Sequence, residues 1–469
     1  MVENTNPILS NVLKSNRPEL IAIYGRRRVG KTFLIRNVYK NDICFEFSGI
    51  HSSSVKQQLN NFHLTLSAKN NSFKKPSDWI EAFHQLSQYI DKLTSIRKKV
   101  VFIDEFPWLD TRKSNFLAAF DNFWNNYASK RDDLAVIICG SAAAYMIKKI
   151  IKSKGGLHNR ITDKIRLLPF NLNETEQLLT NNQVKLTRYD ILQIYMAMGG
   201  IPYYLEKILP GESVAQTIDR LCFSKDGFLK TEFNNVFASL FDHYENHEAI
   251  IRTLASVRKG LTRNEILSAS KISSGGTMTK TLSELEESGF IEQYLPYRRK
   301  TKDSIYRLAD EYSMFYIKFI ENIGPSDNGI WVKIYGQPSY KIWSGFNFET
   351  ICIKHIRQIK EGLKISGIHS SQGSWIEKNT QNASQIDLLI DRADNVINLC
   401  EMKFYNSEYT IDKSYAIEIA KKVNAFISST KTKKNVFMTF ITTYGLSPNE
   451  YSKQYVQSEL TIDHLFIEI

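Results

Sequence analysis

The 469-residue chain is poor in cysteine, with only Cys44, Cys139, Cys222, Cys352 and Cys400, all widely separated and with no CxxC pair. An odd set of dispersed thiols excludes a disulfide framework and a cysteine-based zinc site, and fits a reducing cytosol. Long apolar runs are missing too. The longest, "LAVIICGSAAAYMI", falls short of the ~18 residues a spanning helix needs, and Gly140-Ser141 breaks it. The opening "MVENTNPILS" has neither the basic nor the apolar region of a signal peptide. Acidic excess is absent: 61 Lys+Arg against 49 Asp+Glu leave a net charge of +12, which favours polyanionic partners. The expectation is a cytoplasmic protein with no membrane partner and with DNA as a candidate partner.

What is present is ordinary for a globular protein, 42% hydrophobic and 23% charged, at a length that calls for two to four domains. Residues 1 to about 170 alternate short β-rich runs ("LIAIYG", "VVFIDEF", "LAVIICGS") with long helical patterns. That is the pattern of a parallel sheet with crossover helices. From 171 to 239 helices alone follow, interrupted by "MGGIPYYLEK". Residues 240–312 read as short helices, a stop at Ser288-Gly289 and a hairpin from "FIEQYL" to "SIYRLA", which describes a winged helix. Linker helices with Pro325 and Pro338 (313–343) lead to a final α+β portion, 344–469.

The segment "IAIYGRRRVGKTFLI" crowds three arginines into one turn between a strand and a helix. "GRRRVGKT" fits G-x-x-x-x-G-K-[ST], whose backbone N–H groups and helix N-terminus cradle phosphate. Gly25, Arg28, Val29, Gly30, Lys31, Thr32 and Phe33 are the candidate nucleotide contacts. Lys31 would reach the β- and γ-phosphates and Thr32 would bind Mg²⁺. Arg26, Arg27 and Arg28 read as solvated charge near the mouth. On a neighbouring strand "KKVVFIDEFPWL" supplies Asp104 for Mg²⁺ and Glu105 to polarise the attacking water. Ser141, after the next strand, is placed to touch the γ-phosphate or the attacking water, or else is a helix N-cap.

In order, "YGRRRVGKT", "FIDEFPWL", "CGS", "NRITDKIRLLPF" and "GGIPYYL" resemble the prokaryotic AAA-type ATPases close to the STAND and Orc/Cdc6 groups. Those proteins often carry a C-terminal domain that resembles PD-(D/E)XK nucleases. The resemblance implies ATP and Mg²⁺ as cofactors. It also implies Arg160 or Arg166 as an arginine finger, and Gly200, Ile201 and Pro202 beside the adenine in a helical lid. For Arg160 a helix C-terminal charge is the alternative.

In "GGTMTKTLSELEESG" Met278, Leu282 and Leu285 share one face and leave Thr279, Lys280 and Ser283 outward. That face suits a DNA groove and "YRRKTK" at the hairpin tip suits phosphates, unless the module docks protein and the tip charges serve only solvation.

In "QIDLLIDRADNVINLCEMKF" a hairpin turning around Asp394 sets Asp387 (394−387 = 7) across from Glu401 (401−394 = 7). Their Cβ atoms would lie roughly 5 Å apart, with Lys403 on the same side. Facing carboxylates destabilise a sheet unless something binds between them, and a divalent metal would resolve the conflict. Glu349, on the edge of the apolar stripe in "FNFETICIKHIRQI", supplies a third acid. The arrangement D…E-x-K resembles the PD-(D/E)XK core, in which acids hold Mg²⁺ and a lysine activates water. The alternative is the same fold used for binding only. The expected fold is therefore multidomain α/β: a P-loop NTPase parallel sheet (1–170), helical lid, winged helix, and a C-terminal α+β restriction-endonuclease-like domain. The functional expectation is an ATPase coupled to a nuclease-like domain, or else a nucleotide-gated switch. Self-association is compatible with either.

Overall fold

The computed structural model describes residues 7–70, 72–94, 98–151, 160–241, 243–257, 260–272, 276–323, 329–377 and 384–469. Asn159, Gly275 and Pro325, which take part in the motifs above, lie outside them. Contacts divide the chain into two compact units. One holds residues 1–168 with 240–242 and 287–289, and the other holds 169–239, 243–286 and 290–469.

In the first unit β1 (Glu19–Tyr24), β2 (Ile43–Ser48), β3 (Lys99–Asp104), β4 (Leu134–Gly140) and β5 (Asp163–Arg166) form one sheet in the order β2-β3-β4-β1-β5. Every pairing is parallel. Side chains alternate between two buried faces. Leu20, Ala22, Val101, Ile103, Val136 and Ile138 enter one apolar cluster. Ile21, Ile23, Val100, Phe102, Ile137 and Cys139 enter the other. Burial on both faces explains why these strands read as continuous hydrophobic runs and not as alternating ones. One expectation is corrected: β3 does not neighbour the phosphate-loop strand, because β4 lies between them.

The second unit starts with helices. Its small sheet, ordered β6-β8-β7, joins β6 (Leu261–Thr262), β7 (Ile291–Tyr294) and β8 (Ile305–Leu308) antiparallel. The preceding helix Gly276–Glu287 buries Met278, Thr281, Leu282 and Leu285 and exposes Thr279, Lys280 and Ser283. A third sheet runs β13-β12-β11-β10-β9, from β9 (Ser370–Glu377), β10 (Ser384–Arg392), β11 (Val396–Lys403), β12 (Asn435–Thr442) and β13 (Ser458–Leu460). β9, β10 and β11 are antiparallel, whereas β11, β12 and β13 are parallel. The helix Lys413–Thr430 makes the crossover that the parallel pair requires. Its Ala416, Ile419 and Phe426 cover Leu389, Leu399 and Phe440.

The stretch read as linker helices is a packed aromatic core. Trp331 stacks with Phe223 (6.3 Å) and meets Phe315 (5.2 Å), while Trp343 meets Phe319 (5.1 Å). Each such pair adds roughly 0.5–1.5 kcal/mol beyond its area burial, so this segment holds the second unit together. Among the described residues no helix is long and apolar enough to cross a membrane.

Candidate nucleotide site and C-terminal acid cluster

The strand β1 hands directly into the Gly25–Gly30 loop and the helix Lys31–Val38. Gly25 is obligatory. A Cβ there would stand 2.1 Å from the carbonyl oxygen of Leu167, and its φ of 157° lies where side chains are strained. Arg28 (φ 70°) and Gly30 (φ 86°) turn the loop so that its backbone can wrap an anion. Lys31 is buried and donates from Nζ to the loop carbonyls of Gly25 (3.0 Å) and Arg26 (2.8 Å). Thr32 Oγ1 donates to Asp104 Oδ2, at the end of β3, at 2.6 Å. A lysine held by its own loop, a hydroxyl on an aspartate and left-handed loop residues fit a nucleoside triphosphate with Mg²⁺. Lys31 would hold the phosphates, and Thr32 with Asp104 would hold the ion.

Glu105 sits at φ 44°, an uncommon conformation for glutamate that directs it away from the strand. Its carboxylate accepts from Ser141 Oγ (2.7 Å) and from the Ser141 N–H (3.2 Å). Ser141 is therefore neither a helix N-cap nor free to face a phosphate in this arrangement. It holds the proposed water-polarising acid. The placement follows from β4, which brings Ser141 between the phosphate loop and β3. Arg26 is buried, only 3% exposed, so the reading of all three loop arginines as solvated charge is corrected. Arg160 spends its charge on Asp121 of the helix Phe116–Asn126 (2.5 Å). Val29 is buried and Phe33 is exposed.

Within the second unit Gly200 cannot carry a side chain either, since a Cβ would lie 1.8 Å from the Phe170 oxygen. The Phe170 N–H donates to the Gly200 carbonyl (2.7 Å), and Pro202, buried, opens the short helix Pro202–Leu205.

In the C-terminal sheet Leu388 pairs with Cys400 and Leu389 with Leu399, the register that sets Asp387 opposite Glu401. The ladder stops one pair short of them. The two acids do not share an open gap. Glu401 is bound by the Lys422 ammonium and by Tyr415 Oη (2.8 Å), with Lys403 Nζ at 3.8 Å. Asp387 accepts from Gln385 (2.5 Å) and lies 3.6 Å from Arg307 Nη2 of β8. Glu349 is half-buried, and desolvation, with Asp387 and Glu401 adding like charge, pushes its carboxyl up to about 8. Among the described residues no three of His, Cys, Asp and Glu are grouped to hold a metal ion. In this arrangement cations from the protein, Arg307 and Lys422, stand against Asp387 and Glu401. Sequence reasoning missed Tyr415, Lys422 and Arg307. Lys422 had a signal, standing on the otherwise apolar Tyr415, Ile419, Phe426 stripe. Arg307 had none, because its partner lies 80 residues away in sequence (387−307 = 80).

Residues 7–208 match the family described as an ATPase domain predominantly from Archaea. An uncharacterized protein of Methanocaldococcus jannaschii is 25% identical over 387 residues, 81% of this chain and 81% of its own length. The Walker-type ATPase of Pyrococcus abyssi shares the fold at a TM-score of 0.50 and 17% identity, over 67% of this chain and 95% of that one. The ORC2 protein of Aeropyrum pernix aligns more loosely, at 15% identity and a TM-score of 0.40, over 67% of this chain and 90% of its own. Residues 7–208, which carry the phosphate loop and the Thr32–Asp104 pair, are thus similar to that ATPase family and share the fold of a Walker-type ATPase.

Proposed function

We propose that this protein hydrolyses ATP with Mg²⁺ and uses its nucleotide state to control DNA handling by the rest of the chain. The observation that carries the first half is the 2.6 Å hydrogen bond from Thr32 to Asp104 beside the buried Lys31. Bound Mg²⁺ would neutralise charge on the phosphates. Lys31 would release its loop carbonyls and bind the β- and γ-phosphates. Glu105, held in place by Ser141, would orient and polarise water for in-line attack on the γ-phosphate. Arg160 serves as a finger only if it leaves Asp121.

The helix Gly276–Glu287 with its hairpin reads as a winged helix, and the net charge of +12 supports a nucleic-acid partner. For the C-terminal domain the engagement of Asp387 and Glu401 by Arg307 and Lys422 favours the gated reading, in which DNA is gripped and cleavage is held off. Lys31→Ala is the test of the ATPase half: ATP retention and turnover should both vanish. ATP binding unchanged in that variant would sink it. Incubation of wild-type protein with plasmid and Mn²⁺, with and without ATP, separates a cleaving from a gripping domain.

A further inference from the structure

Glu105 holds a left-handed backbone (φ 44°, ψ 44°) without a glycine's freedom. Such a conformation persists only where the surroundings over-determine it. Here they do so from two directions. The Glu105 N–H donates to Asp104 Oδ1 (2.9 Å), and its carbonyl accepts from the Trp108 N–H (2.9 Å) in the one-turn helix Phe106–Leu109. The loop after β2 closes the other side. Gly49 donates its N–H to the Asp104 carbonyl (3.0 Å), and a Cβ on Gly49 would stand 2.7 Å from the Glu105 oxygen.

Gln58 ties these two segments together. It shares the buried face of the helix Val55–Ser67 with Leu59, Phe62 and Leu66, and none of its surface is exposed. Its Nε2 donates to the Ile50 carbonyl (2.7 Å) and to the Trp108 carbonyl (3.1 Å), while Oε1 accepts from the Ile50 N–H (3.1 Å). Each of these bonds goes to backbone beside the Glu105 turn and none to its own helix. A buried amide is costly unless it is paired, and this pairing fixes the spacing between the Gly49–Ile50 loop and the turn. Ser141 holds the carboxylate at its tip, and Gln58 holds the backbone at its root.

We propose that Gln58 is a positioning residue for ATP hydrolysis. By bridging Ile50 and Trp108 it keeps the Glu105 turn in place, so that the carboxylate faces the attacking water. This role rests on the reading of Glu105 as the acid that polarises that water. Gln58 reaches the reaction through Glu105 alone.

The test compares steady-state ATP hydrolysis with equilibrium ATP binding, both with Mg²⁺ and the full-length protein. Gln58→Met removes the three hydrogen bonds at similar volume, and should lower kcat about tenfold while ATP affinity stays within about twofold. On a Glu105→Gln background the same change should cost nothing further, because both act through one carboxylate. A merely structural role would lower turnover by the same factor in both backgrounds. Should Gln58→Met fail to fold, Gly49→Ala presses a methyl group on the Glu105 carbonyl and should give the same split between kcat and affinity. Wild-type turnover in these variants, with Glu105→Gln inactive, would overturn the role of Gln58 and leave that of Glu105. Affinity falling in step with turnover, or equal losses in both backgrounds, would overturn it as well. Wild-type turnover by Glu105→Gln would overturn both readings.

Discussion

At the scale of single residues, the nucleotide site is built from small constraints that strand order makes compatible. Ser141 holds Glu105 only because β4 separates β1 from β3, and Glu105 reaches Ser141 only by accepting a left-handed backbone. Ser141→Ala should therefore lower the ATP turnover rate about tenfold or more with little change in ATP affinity, as steady-state kinetics would reveal. A matching loss of affinity would instead make the hydroxyl a nucleotide contact. His355 gives a second test. Buried, it accepts from the Leu172 N–H at Nε2 (3.0 Å) and bonds the Ile351 carbonyl through Nδ1 (2.7 Å), the neutral form. Desolvation pushes it down to about 4. The unfolded chain binds a proton there that the folded one refuses, so stability falls as pH drops below the ordinary histidine value. Urea unfolding should lose about 2 kcal/mol between pH 7 and pH 5, and His355→Phe should flatten that slope. Glu349 has the opposite sign. Its raised carboxyl keeps a proton that the unfolded chain gives up, so Glu349→Gln should remove a decline in stability as pH climbs from 5 to about 8.

At the scale of elements, legibility tracked how local the physics is. The phosphate loop was readable because its function is carried by consecutive residues. The register of β10 against β11 was readable because a short turn and period-two alternation determine it. The place of β4 between β1 and β3 was not, since strand order in a parallel sheet is decided by crossover packing. The surroundings of Glu401 were not legible for a similar reason: Tyr415 and Lys422 reach it from the first and third turns of the crossover helix. The close approach of Phe170 to Gly200 was equally invisible, although the paired glycines hinted at crowding. Gly200→Ala would drive a methyl group onto the Phe170 oxygen, and should cost about 1–3 kcal/mol or more, read as a fall in melting temperature.

For the molecule as a whole, the modules read along the sequence do not fold as beads. The helix Leu172–Asn181 and its successor Arg188–Met198 belong to the same compact unit as the C-terminal sheet. Asn173 donates to the Phe466 carbonyl (3.0 Å), Arg188 pairs with Asp463 (2.9 Å), and Arg188 also lies 4.9 Å over the Phe466 ring. The sequence pattern reads residues 344–469 as a domain of their own. Cutting the chain after residue 343 should instead unfold the second unit, with loss of its cooperative transition in a thermal melt followed by circular dichroism. A truncated protein that keeps a sharp second-unit transition would show that the helices stand without the sheet.

The helix Pro338–Lys354 carries Glu349, and His355, immediately beyond its last turn, takes the backbone N–H of Leu172 at the start of the lid-like helices. Six residues separate those two positions, roughly 9 Å along the axis at 1.5 Å per residue. A rod that short scarcely bends. Leu172 is thereby tied, through His355, to a point about two turns from Glu349.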